Sequence, residues 1–465
     1  MLFLVIDKRY DIREGKGGEK MRFLHSKYQL SPFQIILLGF GAVILIGSFV
    51  LMLPISTNGT ENASFIDALF TSTSAVCVTG LIVHDTATYW STFGQVVIIS
   101  LIQIGGMGVV TIVVSLAMIS GRKISLLQRN TMKEAISAPQ TGGIVRLTGF
   151  IMRAILMFEL IGVIAMAPVF CKRFGLGKGI WYAVFHSISA FCNAGFDIMG
   201  IEKKYSSLTA FIDDPVINIT IMALIVIGGI GFLTWDDIKT HKFSFSKYRM
   251  QSKVILTVTT LLILLPAIYF FFGEFTDYPL KERILSSFFQ SVTPRTAGFN
   301  TVDLNTMTET GQMILIILML IGGSPGSTAG GMKTTTLAVL FASAAAVFRK
   351  HDNAHFYKRR ISEDVIRNAC AILCLYVVLF LGGDLIISRI ENLPLLTCLF
   401  ETGSAVGTVG LSLGATPGLG SVSKMILILL MYFGRVGGLT VMFATMSINK
   451  RNIESKFPQE KITVG

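Results

Sequence analysis

Residues 66–82 read Ile-Asp-Ala-Leu-Phe-Thr-Ser-Thr-Ser-Ala-Val-Cys-Val-Thr-Gly-Leu-Ile, an apolar and hydroxyl-rich stretch that runs straight into Thr79-Gly80-Leu81. It is too short to cross a bilayer. The pattern returns three times. His186-Ser-Ile-Ser-Ala-Phe-Cys-Asn-Ala-Gly-Phe196 is the second copy, Phe289-Gln-Ser-Val-Thr-Pro-Arg-Thr-Ala-Gly-Phe299 the third, and Phe400-Glu-Thr-Gly-Ser-Ala-Val-Gly-Thr-Val-Gly-Leu411 the fourth. Their glycines, Gly80, Gly195, Gly298 and Gly410, follow one another at intervals of 115, 103 and 112 residues. Near-even repetition dictates architecture before any local reading does.

The surrounding chain is that of a polytopic membrane protein. Of 465 residues, 52% are hydrophobic and 15% charged, with a mean hydropathy of +0.66, whereas a soluble domain carries about 25% charged residues. Several uncharged apolar runs reach the roughly 20 residues that a membrane-crossing helix needs. The formal charge of +12 has no basic-aromatic cluster to make it a nucleic-acid surface, and fits basic cytoplasmic loops. The six cysteines, at 77, 171, 192, 370, 374 and 398, show no metal-ligand spacing and read as buried thiols. The N-terminus lacks the pattern of a signal peptide, and either Met1 or Met21 serves as a start.

Lysines and arginines divide the chain into four blocks. None lies between Lys27 and Arg122. That interval holds an apolar run at 33–54, the short segment ending at Gly80, and a second run at 95–120. Basic flanks on both sides place both ends in the cytoplasm. Two full spans achieve that, so the short segment must dip in and return. The triplet recurs as 146–170, 181–195 and 215–235, as 253–274, 282–298 and 311–345, and as 364–388, 394–410 and 422–447. The expected fold is an all-α integral membrane protein of four tandem helix–re-entrant pore loop–helix repeats around a pseudo-fourfold ion pore. Its parts are a cytoplasmic N-terminal segment (1–30), repeats at 31–121, 144–235, 250–345 and 362–449, and a cytoplasmic tail (450–465). Eight spans put both termini inside.

Non-helical backbone at membrane depth is tolerated only where it is buried or lines a wet cavity. Four re-entrant segments satisfy this together by surrounding one axis. Stacked backbone carbonyls replace the water of a large, weakly hydrated cation, and glycine adopts the required angles without a Cβ penalty. The short preceding helices aim their negative C-terminal ends at the cation. The competing reading, close helix packing through GxxxG-like pairs, suits a single copy better than four.

These four segments, their order and the glycine-rich loop at 322–333 resemble the Trk/Ktr/HKT superfamily of potassium transporters, most of all the Ktr-type bacterial membrane subunit, over nearly all of residues 30–465. The resemblance implies a selectivity filter at Val78, Thr79 and Gly80, at Asn193, Ala194 and Gly195, at Thr296, Ala297 and Gly298, and at Thr408, Val409 and Gly410. Potassium would be held at Gly80, Gly195, Gly298 and Gly410. A glycine at the first position fits potassium; a serine there favours sodium in plant relatives. The resemblance also implies a homodimer with one pore per protomer in a bacterial plasma membrane. A separate cytosolic regulator, an octameric ring of RCK-domain subunits, would bind ATP or ADP. No tightly bound cofactor is expected on this chain. The basic loops at 122–146, 236–253 and 349–367 and the tail are where that ring would dock.

The second span of each repeat carries its own glycine echo: Ile104-Gly-Gly-Met-Gly108, Ile227-Gly-Gly-Ile-Gly231, Ile321-Gly-Gly-Ser324 and Phe433-Gly-Arg-Val-Gly437. The first two read as close-packing sites in continuous spans. The third opens a stretch, residues 322–331, with five glycines and a proline in ten residues, which cannot continue as a helix. Residues 322–333 are the expected gate, carried by Gly322, Gly323, Ser324, Gly326, Ser327, Thr328, Gly330, Gly331 and Lys333. Met332 breaks the Gly-Lys adjacency of a phosphate-binding loop. Arg435, in mid-span, is expected to face the pore as a barrier or latch; its alternative is a salt bridge to Glu159 or Asp384, which otherwise read as interfacial. Glu401 reads as a near-pore carboxylate and His186 as a packed, hydrogen-bonded histidine.

With no catalytic dyad, triad or cofactor motif, the chain does not read as an enzyme. Potassium uptake is the leading function and a sodium or weakly selective cation pathway the alternative. A secondary transporter would show inverted repeat pairs, and a non-transporting assembly subunit is the outsider.

Overall fold

In the computed structural model the described residues are 30–59, 62–120, 124–138, 140–201, 203–242 and 244–446. The expected cytoplasmic tail 450–465, all of segment 1–30 except Leu30, and Arg122 and Lys123 lie outside them. The chain divides into Met1–Leu30 and Ser31–Gly465, and every described helix and strand belongs to the second unit.

Each repeat is a long helix, a short helix and a second helix that is interrupted. Repeat 1 has α1 (Pro32–Leu51), α2 (Phe65–Val76), α3 (Thr92–Met107) and α4 (Val109–Ile119), and α5 (Leu126–Ala135) links it onward. Repeat 2 has α6 (Ile144–Phe174), α7 (Leu176–Phe191), α8 (Pro215–Gly229) and α9 (Phe232–His241). Repeat 3 has α10 (Met250–Gly273), α11 (Leu280–Val292), α12 (Glu309–Leu320) and α13 (Thr334–Phe348), followed by a two-residue hairpin, β1 (His355–Phe356) and β2 (Arg359–Arg360). Repeat 4 has α14 (Glu363–Glu391), α15 (Leu395–Gly407), α16 (Ser421–Val436) and α17 (Gly438–Met446). The starts are local chemistry: Ser64, Ser91, Asp214 and Thr308 cap α2, α3, α8 and α12 by accepting backbone N–H groups.

The repeats close into a ring. Within each, the long helix packs on the short one, α1, α6, α10 and α14 on α2, α7, α11 and α15, and in repeats 1, 2 and 4 the second helix flanks it too, α3 on α2, α8 on α7 and α16 on α15. Between repeats, α3 packs on α7, α8 on α11, α12 on α15, and α16 back on α2. Each second helix therefore supports the short helix of the next repeat, and the fourth supports the first. The four short helices end up buried around one axis, with Phe70, Phe185, Phe289 and Phe400 packed in the core.

Among the described residues four helices, α1, α6, α10 and α14, are long and apolar enough to cross a membrane; two more spans result if each bent pair counts as one. Here the second spans depart from the continuous reading. The chain turns by 94° between α3 and α4 and by 96° between α8 and α9. Gly108, Gly231 and Gly437 sit at the breaks with φ of +84°, +90° and +88°, a left-handed backbone that glycine enters freely. The first glycine of each echo has the packing role: a Cβ on Gly105, Gly228 or Gly434 would lie 1.9, 2.1 or 2.3 Å from the carbonyl oxygen of Val76, Phe191 or Val406.

Two further expectations need correction. Only Cys77, Cys192 and Cys398 are buried; Cys171 is half-buried, and Cys370 and Cys374 are exposed on the apolar outer face of α14. Glu159 and Asp384 are not interfacial either, being buried within α6 and α14. Glu159 Oε1 accepts Gln103 Nε2 at 2.9 Å.

Gly105→Ala should therefore cost about 1–3 kcal/mol through overpacking and lower the melting temperature of the detergent-solubilised protein. Gly382→Ala, where a Cβ meets nothing within 4 Å, should leave it unchanged or slightly raised.

Candidate functional site: four filter segments above an intramembrane loop

The short helices of repeats 1, 2 and 4 end in the same hydrogen-bonded turn. In the first, Val78 N donates to Ala75 O at 3.1 Å and Thr79 N to Ser74 O at 2.8 Å; Asn193 and Ala194, and Thr408 and Val409, repeat this with distances of 3.1 and 2.8 Å. This double bond is a Schellman end, whose turning residue must adopt positive φ. Val78, Asn193, Thr296 and Thr408 do so, at +56°, +59°, +67° and +52°. Asparagine tolerates that region, but a β-branched residue there is strained. Gly80, Gly195, Gly298 and Gly410 follow two residues later, again at positive φ, while the residue between is not left-handed. Alternating the hand of the backbone turns successive peptide groups to one side.

The four segments touch one another in cyclic order. A Cβ on Gly80 would lie 2.3 Å from Ala194 O, on Gly195 2.5 Å from Ala297 O, on Gly298 2.2 Å from Val409 O, and on Gly410 2.2 Å from Thr79 O. The predicted filter residues are thus brought together as one closed ring. Hydroxyls behind it were not singled out from sequence. Ser74 and Ser404 accept the N–H of Gly80 and Gly410 at 3.0 and 2.9 Å. Ser189 and Thr293 donate to the carbonyls of Phe196 and Phe299. Their signal was present as the serine or threonine five or six residues before each glycine.

The 322–333 loop lies against this ring. A Cβ on Gly330 would be 2.1 Å from Thr408 Oγ1, and Thr328 Oγ1 is 2.9 Å from Asn193 Oδ1. The loop also takes up the carbonyls freed by the broken spans. Ser324 N donates to Gly229 O at 2.9 Å, Thr328 N to Gly228 O at 3.3 Å and Gly331 N to Gly434 O at 3.1 Å. Gly322 N closes the loop on Met332 O at 2.8 Å, and Ser327 Oγ donates to Ser324 O. Gly323 presses on Ala329 and Gly326 on the carbonyl of Ile136.

Two cations bind these carbonyls. Lys333 Nζ donates to Ala329 O at 2.8 Å and Gly330 O at 3.3 Å. The Arg435 guanidinium donates to Thr328 O of the loop and to Gly105 O and Gly106 O at the C-terminal end of α3, the negative pole of that helix. Among the described residues neither pairs with a carboxylate, so the Glu159 or Asp384 alternative for Arg435 is set aside.

Two remaining candidates lie behind the pore wall. Glu401 accepts Ser412 Oγ at 2.6 Å, Leu413 N at 3.1 Å and the Thr416 hydroxyl; it braces the chain leaving the fourth filter segment and does not line the cavity beyond. His186 is fully buried with Nδ1 2.8 Å from Tyr182 O.

On the side of the ring away from the loop, a cavity of about 390 Å³ is lined by the four glycines, Asp197, Lys203 and Asp303. Asp197 lies in the loop after α7. Burial pushes its carboxyl up to about 7; the Met199 N–H it accepts opposes that, and repulsion from Asp85 adds to it. An acid raised in this way is neutral below about 7 and charged above. Uptake of a cation at limiting concentration should then rise by roughly two- to fivefold between pH 6 and 8, the effect of about 0.5–1 kcal/mol of added attraction. Asp197→Asn should flatten that rise.

Comparison with known proteins agrees with this geometry. A family model described as TrkH, cation transport protein, matches residues 19–456. The chain is 39% identical to the potassium/sodium uptake protein NtpJ of Enterococcus hirae over 94% of its own length and 98% of that protein's. It is 36% identical to the Ktr system potassium uptake protein B of Bacillus subtilis, over 94% and 97%. The crystal structure of the potassium transporter TrkH from Vibrio parahaemolyticus superimposes with a TM-score of 0.72 at 20% identity, covering 91% of this chain and 86% of that one. With that fold, that extent of match and a ring of four glycine segments, the chain belongs to the TrkH family of cation transport proteins.

Proposed function

We propose that this chain is the potassium-translocating subunit of a Ktr-type uptake system in a bacterial plasma membrane. The observation that carries the reading is the closed ring of four glycine segments, in which each glycine leaves no room for a Cβ beside the next carbonyl. A ring fixed in this way offers oxygens at a set spacing in place of a cation's water. The short helices, pointing their C-terminal ends at it, add negative potential. The names of the relatives, potassium/sodium uptake and Ktr potassium uptake, support the ion. Inward flux is driven by the membrane potential, about 2.3 kcal/mol per charge per 100 mV.

The 322–333 loop acts as the gate and Arg435 as its latch, a positive charge held where a permeating cation would pass. Both termini face the cytoplasm, the chain functions as a homodimer, and a nucleotide-binding RCK-domain ring docks on the basic loops around α5, the end of α9 and the β1–β2 hairpin. Nucleotide acts on that ring and not on this chain.

Rubidium uptake and potassium-limited growth in a bacterium lacking its own uptake systems test this, with the regulator co-expressed. Wild type should rescue growth. Gly80→Ser, whose side chain must displace Ala194 O, should lose preference for potassium over sodium by about tenfold or more, roughly 1.4 kcal/mol. A serine form with unchanged preference would make Gly80 a packing residue. Deleting residues 324–329 should raise flux several-fold, and unchanged flux in a well-folded deletion would remove the gate.

A further inference from the structure

The gate loop and the filter share a buried contact that neither role by itself requires. Asn193 belongs to the second filter segment and is 1% exposed; Thr328 belongs to the loop and is 0% exposed. The Thr328 hydroxyl lies 2.9 Å from Asn193 Oδ1 and 3.1 Å from Phe191 O. The other end of the same amide, Asn193 Nδ2, donates to Ile225 O at 3.3 Å and to Arg295 O at 3.4 Å. Arg295 immediately precedes the third filter segment. One planar amide thus joins the loop, the second segment, the third segment and α8.

The neighbouring backbone is shaped around this junction. A Cβ on Gly228 would lie 2.8 Å from both Asn193 Oδ1 and Thr328 Oγ1 and 2.1 Å from Phe191 O. Any other residue there would separate the two side chains. The loop's second leg meets the fourth segment, where Gly330 abuts the Thr408 hydroxyl. The first, third and fourth segments carry Val78, Thr296 and Thr408 at the position of Asn193, so a valine fits that backbone and the amide is an addition.

Resting on the transport reading above, we propose that Thr328 is a positioning residue acting on ion preference through Asn193. With the loop seated, the Thr328 hydroxyl, shared between Asn193 Oδ1 and Phe191 O, holds the Asn193 amide in place, and the amide's Nδ2 pins the carbonyl of Arg295 and with it the entry to the third segment. When the loop moves, the amide is released and two adjacent filter segments loosen together. Opening the gate therefore lowers selectivity, and a partly seated loop gives an intermediate preference. The amide points one way because Ile225 O and Arg295 O can only accept, which turns Nδ2 toward them and leaves Oδ1 to the Thr328 hydroxyl.

The test uses the purified full chain in liposomes, with rubidium uptake driven by an inside-negative potential and sodium as competitor. Thr328→Val keeps the shape and removes the hydroxyl; Asn193→Val copies the first segment. Each should lower the preference for rubidium over sodium by about threefold. The double variant should lose no more than the larger single, because residues acting through one contact are not additive. Thr328→Ser should restore the wild-type preference. Asn193→Ser serves as the second probe if Asn193→Val does not insert. Wild-type flux together with an unchanged preference in Thr328→Val, or a double variant falling to about ninefold, would overturn the coupling alone. No flux from wild type, either alone in liposomes or in cells with the regulator co-expressed, would overturn the transport reading, and the coupling with it.

Discussion

The fold turns on a steric constraint at four alpha carbons. Gly80, Gly195, Gly298 and Gly410 each lie beside the carbonyl of the residue before the next glycine, too close for a Cβ in every case. Four segments can meet this way only if their helices converge on one axis and end at one level. The short helices therefore stop in a fixed turn, and hydroxyls at the back hold the glycine amides and the following carbonyls. Valine and threonine in left-handed backbone cost of order 1–3 kcal/mol each. That strain is sustained because the surrounding repeats bury it completely.

The same logic governs the layer beneath. Breaking a helix inside a membrane exposes carbonyls that have no water to accept from. Repeats 2 and 4 give those carbonyls to the loop of repeat 3, and repeat 1 gives its pair to Arg435. The breaks in the other three repeats are thus satisfied mainly by one irregular segment and one guanidinium, with Trp235 Nε1 donating to Ile227 O and the Tyr376 hydroxyl to Gly434 O. A half-buried cation in mid-span without a carboxylate is costly, and the α3 end with its oriented dipoles offsets that cost. Because the loop supplies the donors at two of these breaks and holds Arg435 through Thr328 O, it cannot move without leaving polar backbone unsatisfied. That is what holds the loop in this position.

Much of this was legible from residue types alone. The glycine spacing, the apolar runs and the gap in basic residues between Lys27 and Arg122 determined four repeats with short re-entrant helices. The cluster Gly322-Gly-Ser-Pro-Gly determined that one span must be interrupted, because no helix accommodates it. The hydroxyls before each glycine were visible, but their purpose needs partners on the far side of a turn. Glu401 showed as a carboxylate near the pore; that it faces the outgoing chain and not the ion follows from where Ser412 and Thr416 fold.

The sequence by itself determined the number of repeats, their order and the positions where backbone had to be irregular, because those follow from hydropathy and from glycine and proline chemistry. Tertiary structure alone decided which irregular points meet. Gly108 and Gly231 read equally well as packing sites in straight spans. A bend of more than 90° at each is sustained only because the neighbouring loop donates to the carbonyls freed in repeat 2 and Arg435 donates to those of repeat 1. Asn193, Thr328 and Arg295 are 135 and 102 residues apart in sequence from the first to each of the others. Nothing local links them; the ring closure of four repeats places one amide between the ring of glycine segments and the 322–333 loop.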